Sequence, residues 1–255
     1  MRGGEGALRA DLVVNGFDVV AEYGDKDVEG VFVSLLERWT RLAAGRERTV
    51  VLLAAPPGAG KSTLAAFLEW YAPQVPGVAV PRAVGIDGFH YPNAYLDTHT
   101  TMEDGLEVVL RSRKGAAFTF DVAGLEGAVR DYLTAEAPAP WPVYSRVLHD
   151  PVPAAIDVDA PLLLVEGNYL LLDDPGWARV RALAADTVFL RADEGELRER
   201  LVARKVRGGM APDDAETWYQ ASDGRNVRAV LERSVPANVE LRQRGGTLEV
   251  VRARS

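Results

Sequence analysis

The segment from Val50 to Ser62 reads VVLLAAPPGAGKS, an apolar run of strand length that leads directly into a glycine-rich turn. Because the run does not alternate with polar residues, it is typical of a strand covered on both faces in a parallel sheet. The turn has the spacing of a P-loop in its Ala-first form, and the residues after it, 62–71, have a helical pattern. Strand, turn and helix together predict a phosphate-binding site.

The residues of this turn have separate expected roles in holding a nucleoside triphosphate. Glycines let backbone N–H groups face phosphate oxygens, and the helix N-terminus adds partial positive charge. We expect Lys61 to pair with the β- and γ-phosphates, and Ser62 to offer its hydroxyl to Mg²⁺. We therefore predict ATP and Mg²⁺ as cofactors, with the nucleotide bound by Pro57, Gly58, Ala59, Gly60, Lys61, Ser62 and Thr63.

Strand and helix patterns alternate along the rest of the chain. Apolar runs of strand length occur at residues 78–80, 83–86, 161–165, 187–190 and 247–251. Helical spacings occur at residues 28–44, 122–134, 194–207 and 213–233. Buried strands that alternate with helices imply right-handed crossovers and a mainly parallel sheet. We predict the α/β class, as a three-layer P-loop NTPase fold with a small helical lid.

The chain divides at about residue 48 into an N-terminal extension and a P-loop domain. Residues 1–48 contain two short apolar stretches around Asn15-Gly16, which predict a hairpin, and then the helical pattern at 28–44. We expect this extension to pack on the domain formed by residues 49–255. Within that domain the segments 92–120 and 136–160 are expected to be irregular, and long loops in an α/β chain are usually functional.

Two carboxylates follow apolar strand patterns. Asp87 comes after residues 83–86, and Glu166 after residues 162–165. Ligands of open α/β sheets bind at the carboxyl ends of the strands, so we expect both side chains to face the phosphates. Phosphoryl transfer needs an oxygen-liganded metal ion and a group that takes the acceptor's proton, and two acids could divide those roles. Taken singly, each acid could instead be a helix-capping or turn residue.

A cationic helix pattern at 194–207 ends at Gly208-Gly209 and predicts a lid around residues 194–212. Arg200 and Arg204 are four residues apart and share a helix face, so either could stabilise charge on the transferred group. The alternative is a solvated helix whose acids pair with its bases. Three aromatic residues could stack on a base but are interpreted as core residues: Trp177, Trp218 and Tyr219.

Composition excludes several classes of protein. The chain has 255 residues and no cysteine, so thiol catalysis, disulfides and Cys-based zinc sites are excluded. A formal charge of −8 argues against a nucleic-acid or membrane partner. No apolar run approaches the roughly 18 residues of a membrane span, and the first residues lack the apolar core of a secretory signal. We therefore expect a cytoplasmic protein.

With these features together, the sequence resembles the kinase group of type I pantothenate kinases, uridine kinases and phosphoribulokinases. The resemblance runs from Thr49 to Leu241, and the matching segments are 87–93, 113–115, 120–121, 142–145 and 165–167. The sequence is closer still to nucleoside/nucleotide kinases labelled as fructose-transport kinases, with which it shares residues 54–58 and 166–171.

The resemblance implies roles for individual residues. Asp87 is implied as the base, Glu166 as a metal or water ligand, and Arg200 or Arg204 as the lid cation. On the acceptor side we predict, besides Asp87, a set of His90, Tyr91, Arg113, Lys114, Tyr144, Arg146, His149 and Asn226. His149, which is close to Arg146 in sequence, could instead be a surface-loop residue, and Asn226 could lie beside the nucleotide or the acceptor. Arg146 and His90 stand where pantothenate kinases carry His and Leu. An arginine at 146 would suit an acceptor with a carboxylate or phosphate, through bidentate pairing.

The function predicted from these observations is ATP-dependent transfer of the γ-phosphoryl group to a hydroxyl of a small metabolite. The acceptor is left open among sugars, nucleosides and pantothenate-like molecules, and related kinases suggest a homodimer. The alternative is a P-loop ATPase or nucleotide-dependent regulator that acts on a protein partner. The Asp87–Asn93 segment favours the kinase, because its motif is of the acceptor-binding type.

Overall fold

A six-stranded sheet forms the centre of the computed structural model, which describes residues 6–103, 105–244 and 247–254. Its strands are, in spatial order, β12 (Thr247–Ala253), β11 (Val239–Arg244), β10 (Asp186–Arg191), β3 (Thr49–Ala54), β9 (Leu162–Gly167) and β4 (Pro81–Gly85). Neighbouring strands are parallel except at the edge, where β12 runs antiparallel to β11. The predicted α/β class with a mainly parallel sheet is confirmed.

Helices connect these strands, and the described residues also form three two-stranded hairpins. The helices are α1 (Asp25–Asp27), α2 (Ser34–Ala43), α3 (Lys61–Tyr71), α4 (Asn93–Leu96), α5 (Val122–Thr134), α6 (Pro175–Arg181), α7 (Glu194–Arg207), α8 (Pro212–Trp218) and α9 (Gly224–Arg233). Wider π-helical turns, Val28–Val33 and Tyr219–Asp223, join α1 to α2 and α8 to α9. The hairpins pair β1 (Ala7–Val14) with β2 (Phe17–Gly24), β5 (Thr100–Glu103) with β6 (Leu106–Val109), and β7 (Ala139–Ser145) with β8 (Asp150–Val158).

The central sheet is covered on both faces because alternate residues of β3 belong to different cores. Val51 and Leu53 pack in one cluster with residues of α2, α3 and α7. Val50 and Leu52 pack in the other, with residues of α5 and α6. Every residue of β3 is buried, which explains why its sequence shows no alternation. The result is three layers, helix–sheet–helix. Among the described residues no helix is long and apolar enough to cross a membrane.

The predicted N-terminal hairpin is present, with Val14 opposite Phe17 and Asn15-Gly16 as its two-residue turn. Both turn residues have positive φ, 52° and 81°, as this tight turn requires. The body of the hairpin packs on α3, where the ring of Tyr23 meets that of Phe67 at 4.6 Å between centroids. Residues 1–5 of the predicted extension lie outside the described part of the chain.

A buried carboxylate ties the segment before β3 to the central sheet. Asp186, fully buried at the start of β10, accepts hydrogen bonds from Arg38 Nε at 2.8 Å and Trp39 Nε1 at 3.1 Å, both on α2. Asn238 Nδ2 donates to the same carboxylate at 3.0 Å. Because a buried charge needs such partners, α2 is held against the sheet by specific bonds as well as by apolar packing.

Three details of the predicted elements were wrong. Residues 136–160, expected to be irregular, form the β7–β8 hairpin, in which Pro142 lies at a register shift and so interrupts no ladder bond. Residues 78–80 are not a strand, because the edge strand of the sheet begins at Pro81. The irregular segment 92–120 also contains α4 and the short β5–β6 hairpin.

Candidate active site

The phosphate loop connects the buried end of β3 to the first turn of α3. Gly60 precedes the helix with φ 89°, a left-handed conformation that a side chain would strain, and Gly58 has φ 81°. The helix begins at Lys61, so its free N–H groups point into the loop. This geometry fits the predicted cradle for phosphate oxygens.

Behind the loop, Glu166 meets both functional side chains of the P-loop. Ser62 Oγ donates a hydrogen bond of 2.7 Å to Glu166 Oε1, and Lys61 Nζ lies 3.9 Å from Oε2. The carboxylate is only 8% exposed, because it projects from β9 between β3 and β4. Burial raises the pKa of Glu166; the Lys61 charge and the Ser62 bond counter this rise, and the nearby Asp87 charge adds to it.

The residues at this point fit a magnesium ion by the chemistry of their oxygen atoms. A hydroxyl and a carboxylate oxygen lie together at Ser62 and Glu166, and Mg²⁺ prefers such ligands together with phosphate oxygens. Among the described residues, no group of three or more His, Asp or Glu side chains is arranged to hold a metal ion. The pair therefore fits an ion that is held jointly with a nucleotide.

Asp87 lies one strand away, at the carboxyl end of β4. Gly85 is in register with Glu166 on β9, and Asp87 follows in a short 3₁₀ turn, Asp87–Phe89. Gly88 allows this turn to lie against β7, since a Cβ at this position would overlap the Pro142 carbonyl. The close approach fixes the direction of the Asp87 backbone beside the phosphate loop.

One open cleft of about 550 Å³ joins the phosphate loop to Asp87. Four predicted nucleotide-binding residues line it: Pro57, Gly58, Lys61 and Ser62. So do seven predicted acceptor-side residues: Asp87, His90, Lys114, Tyr144, Arg146, His149 and Asn226. Ala59, Gly60 and Thr63 face a neighbouring pocket beneath the N-terminal hairpin. The structure thus brings most of the predicted site residues together around a single cavity.

The predicted metal ligand Glu166 lines an adjacent pocket that it shares with Ser62, and three predicted lid or acceptor-side residues also lie outside the cleft. Arg113 is buried, donates to the Ala221 carbonyl at 2.8 Å and pairs with Glu103, which gives it a structural contact. Tyr91 stacks its ring on Tyr95. Arg200 donates to Gln243 Oε1 at 2.6 Å and pairs with Glu196 at 3.1 Å, so its guanidinium is directed toward β11.

Arg204 is the lid arginine that reaches the cleft. Its side chain is exposed, lines the cavity, and makes no hydrogen bond or ion pair with any described residue. The next residue, Lys205, also lines the cavity, with Nζ 4.5 Å from the centre of the Trp218 ring. The segment predicted as a lid therefore presents two cations to the site.

Eight residues of the cleft are not among the predicted site residues: Asn15, Arg111, Gly115, Phe120, Asn168, Lys205, Trp218 and Asp223. Asn168 Oδ1 and Asp223 Oδ2 are buried polar atoms without a hydrogen-bond partner among the described residues, as expected where a ligand supplies one. Burial raises the pKa of Asp223, and Lys205 and Arg204 counter the rise. Trp218, predicted to be a core residue, is 42% exposed. Three of the eight had a sequence signal: Lys205 lies in the cationic pattern at 194–207, Trp218 is an aromatic residue that could stack on a base, and Asn168 follows Glu166 by two residues.

His90 forms a wall of the cleft beside Asp87. Its ring packs on Phe120 at 3.9 Å and on Tyr144 at 5.6 Å between centroids, and its Nδ1–H donates to the Asp87 carbonyl at 2.9 Å. Burial lowers the pKa of His90, which favours the neutral imidazole at physiological pH. A neutral, fixed ring shapes the cavity without adding charge to it.

Comparison with known proteins gives related kinases and kinase-like proteins. The chain is 41% identical over 242 residues to YggC of Escherichia coli K12, itself uncharacterized, covering 93% of this chain and 98% of YggC. It is 33% identical to the ATP-dependent kinase-like protein notR' of Aspergillus versicolor, covering 59% of this chain and 90% of the relative.

A solved structure supports the same relationship. The crystal structure of a "putative fructose transport system kinase" from Silicibacter sp. TM1040 superposes with a TM-score of 0.72 at 29% identity, covering 82% of this chain and 98% of the other. No family model matches the sequence.

Proposed function

This chain belongs to the family of P-loop kinases, and we propose that it transfers the γ-phosphoryl group of ATP to a hydroxyl group of a small metabolite. The observation that carries the proposal is the single cleft in which the phosphate loop, Arg204 and Asp87 meet. A nucleotide on the loop would place its γ-phosphate at one end of this cavity. Beyond Asp87 the cavity continues and leaves room for an acceptor.

The nucleotide half of the site supplies positive charge and fixed donors. Backbone N–H groups of the loop and of the start of α3 face the phosphates, and Lys61 pairs with the β- and γ-phosphates. Arg204 approaches from α7, where it stabilises the charge of the transferred group. Ser62 and Glu166 would hold Mg²⁺, whose charge offsets that of the phosphate oxygens when it is bound.

In the chemical step, an acceptor oxygen attacks the γ-phosphorus. The new O–P bond forms while the bond from the γ-phosphorus to the β,γ-bridging oxygen breaks, and ADP leaves with that electron pair. Asp87 accepts the hydroxyl proton through its carboxylate, which requires the ionised form. Lys61 and Arg204 remain charged throughout and lower the barrier by electrostatic stabilisation.

The acceptor half is formed by three elements that the P-loop core does not contain. The β7–β8 hairpin contributes Tyr144, Arg146 and His149, the turn after β6 contributes Lys114, and the tip of the N-terminal hairpin contributes Asn15. Together with α7 they line the cleft in which the transferred group would lie. Closure of these elements over a bound acceptor would favour transfer over hydrolysis, because it would exclude water.

The test is mass spectrometry of products from Mg-ATP and a pooled library of hydroxylated metabolites. We expect one pool member to gain a phosphoryl group with the wild type and not with Lys61→Ala. Asp87→Asn should lower kcat by about 100-fold or more while ATP still binds, since it removes the proton acceptor and not the cradle. Asp131→Asn, an exposed carboxylate on α5 outside the cleft, is the matched control.

The competing function is a nucleotide-dependent ATPase or regulator. ADP that forms at the same rate with and without every acceptor, and equally in Asp87→Asn, would contradict the kinase proposal and favour the ATPase. Binding of ATP without any turnover would favour the regulator. A homodimer remains a prediction, to be tested by sedimentation of the purified protein.

A further inference from the structure

The charge of the cleft is strongly unequal. Six lysine or arginine residues line it against two carboxylates, Asp87 and Asp223, although the chain as a whole carries a formal charge of −8. The triphosphate accounts for the cations on the loop and on α7: Lys61, Arg204 and Lys205. Three further cations, Arg111, Lys114 and Arg146, come from the elements that form the acceptor half.

Two of the three acceptor-side cations already have partners. Lys114 Nζ donates to Asn93 Oδ1 at 2.5 Å and to the His149 carbonyl at 2.9 Å, and it lies 3.9 Å from Asp150. These contacts link the β7–β8 hairpin to the start of α4. Arg111 Nε lies 3.8 Å from Asp97, in an exposed pair. Both cations still contribute positive potential to the cleft, but each already has a carboxylate near it that offsets part of its charge.

Arg146 differs from the other two because it has no carboxylate partner and no hydrogen bond among the described residues. Its guanidinium contacts only aromatic rings, with Cζ 6.0 Å from the centre of Tyr144 and 5.9 Å from that of Phe17. Tyr144 lies on β7, and Phe17 is the first residue of β2, after the turn of the N-terminal hairpin. Ring faces position a guanidinium without occupying its N–H donors, so all five donors remain available.

We propose that the acceptor carries an anionic group, a phosphate monoester or a carboxylate, and that Arg146 binds this group while Asp87 receives the proton of the acceptor hydroxyl. The inference rests on the proposed function, because it names the class of that acceptor. A planar guanidinium pairs with either oxyanion through two parallel hydrogen bonds. The positive potential from Lys114 and Arg111 adds to the attraction, and the ring contacts reduce the freedom that Arg146 loses on binding.

The experiment uses matched triples of acceptors on one carbon skeleton. Glucose, gluconate and glucose 6-phosphate form one triple; glycerol, glycerate and glycerol phosphate form another. Each is assayed with the full-length protein and Mg-ATP, and products are identified by mass spectrometry. We expect an anionic member of a triple to be preferred, with kcat/KM at least about 10-fold above that of its neutral partner. Comparison of the carboxylate with the phosphate on the same skeleton shows which oxyanion is bound.

Variants then assign the preference to the guanidinium. Arg146→Gln should raise KM for the anionic acceptor by about 10- to 100-fold, leave KM for ATP within about twofold, and abolish the preference over the neutral partner. Arg146→Lys should recover part of the lost affinity for the anionic acceptor, because lysine keeps the positive charge but cannot form the two parallel hydrogen bonds of a guanidinium. Arg46→Gln, an exposed arginine outside the cleft, is the control for loss of one surface charge.

The outcomes separate the two proposals. A neutral acceptor that is phosphorylated best, with a KM that Arg146→Gln leaves unchanged, would overturn this inference and leave the kinase proposal standing. An anionic acceptor with an unchanged KM in Arg146→Gln would likewise reject the role of Arg146. No product from any member of any triple, together with acceptor-independent ADP formation, would overturn the proposed function and this inference with it.

Discussion

Replacing Glu166 by Gln should make the protein more stable and nearly inactive. The amide is almost the same size as the carboxylate, and its oxygen can still accept the 2.7 Å hydrogen bond from Ser62. What the change removes is a negative charge that is 8% exposed and lies beside Asp87. A residue that serves only the fold would not show this combination of effects.

The sign of the stability change follows from two opposing terms. Lys61 Nζ at 3.9 Å attracts the carboxylate by roughly 4 kcal/mol at an effective dielectric constant of about 20. The pKa of Glu166 is nevertheless raised, because burial and the nearby Asp87 charge together disfavour the ionised form by more than Lys61 and Ser62 stabilise it. A raised folded-state pKa means that the ionised carboxylate lowers the free energy of unfolding, so we expect Glu166→Gln to have a higher Tm than the wild type.

The assay is thermal unfolding of the protein without nucleotide or Mg²⁺, from pH 4 to pH 8. Since the folded-state pKa of Glu166 lies above the unfolded one, the wild type loses stability as the pH rises through the folded-state pKa. The difference between Glu166→Gln and the wild type should therefore be near zero in acid and should increase as the pH rises. Activity with Mg-ATP should fall by at least about 100-fold, because the charge that faces the phosphate loop is lost.

Glu126→Gln is a control with the opposite sign. Arg179 and Arg130 lower the pKa of Glu126, which pairs with both on the surface, so this variant should lose stability at neutral pH and keep full activity. A lower Tm for Glu166→Gln at pH 8, or retained kcat, would show that Glu166 is a structural ion-pair partner of Lys61 and refute the reasoning.

Three further outcomes are expected. Of the two lid arginines, Arg204 lines the cleft and Arg200 does not. In steady-state assays with a saturating acceptor, Arg204→Ala should therefore lower kcat by about 100-fold and Arg200→Ala by less than about twofold. Equal effects of the two variants would contradict this prediction. Gly88→Ala should lower the free energy of unfolding in urea by about 1–3 kcal/mol, because the new Cβ would overlap the Pro142 carbonyl. An unchanged urea midpoint would show that residue 88 does not approach β7 this closely. Asp186→Ala should lower the free energy of unfolding by about 3–5 kcal/mol, because it leaves the side-chain donors of Arg38 and Trp39 on α2 without their acceptor. A loss below about 1 kcal/mol would mean that these hydrogen bonds add little to stability.

Much of the phosphate-loop side of the site could be predicted from sequence, because its geometry is local. The P-loop spacing places Lys61 and Ser62 at the start of a helix, and residues that follow buried parallel strands must gather at one sheet edge. Asp87 and Glu166 were found by that rule alone. The P-loop turn and the parallel pairing of the strands are both set by backbone hydrogen bonds, so these positions could be predicted without knowing where any side chain points.

The direction of long side chains could not be predicted, because it depends on partners distant in sequence. Arg200 and Arg204 share a helix face, but Gln243 on β11 and Glu196 bind Arg200 and turn it away from the cleft. The strand that carries Gln243 had no recognised pattern. Arg113 is similar: it lies in a segment that resembles an acceptor site, yet Glu103 and the Ala221 carbonyl hold its guanidinium elsewhere.

The N-terminal hairpin also affects how the protein could have diversified. Its tip contributes Asn15 to the cleft and sets Phe17 against Arg146, while its body rests on the helix that begins at Lys61. The two stretches of sequence on either side of residue 48 therefore share one apolar core, which contains Trp39 and Leu53. A change at the two-residue turn could alter which acceptors are admitted without touching the phosphate loop, so recognition and catalysis can evolve on different segments of the chain.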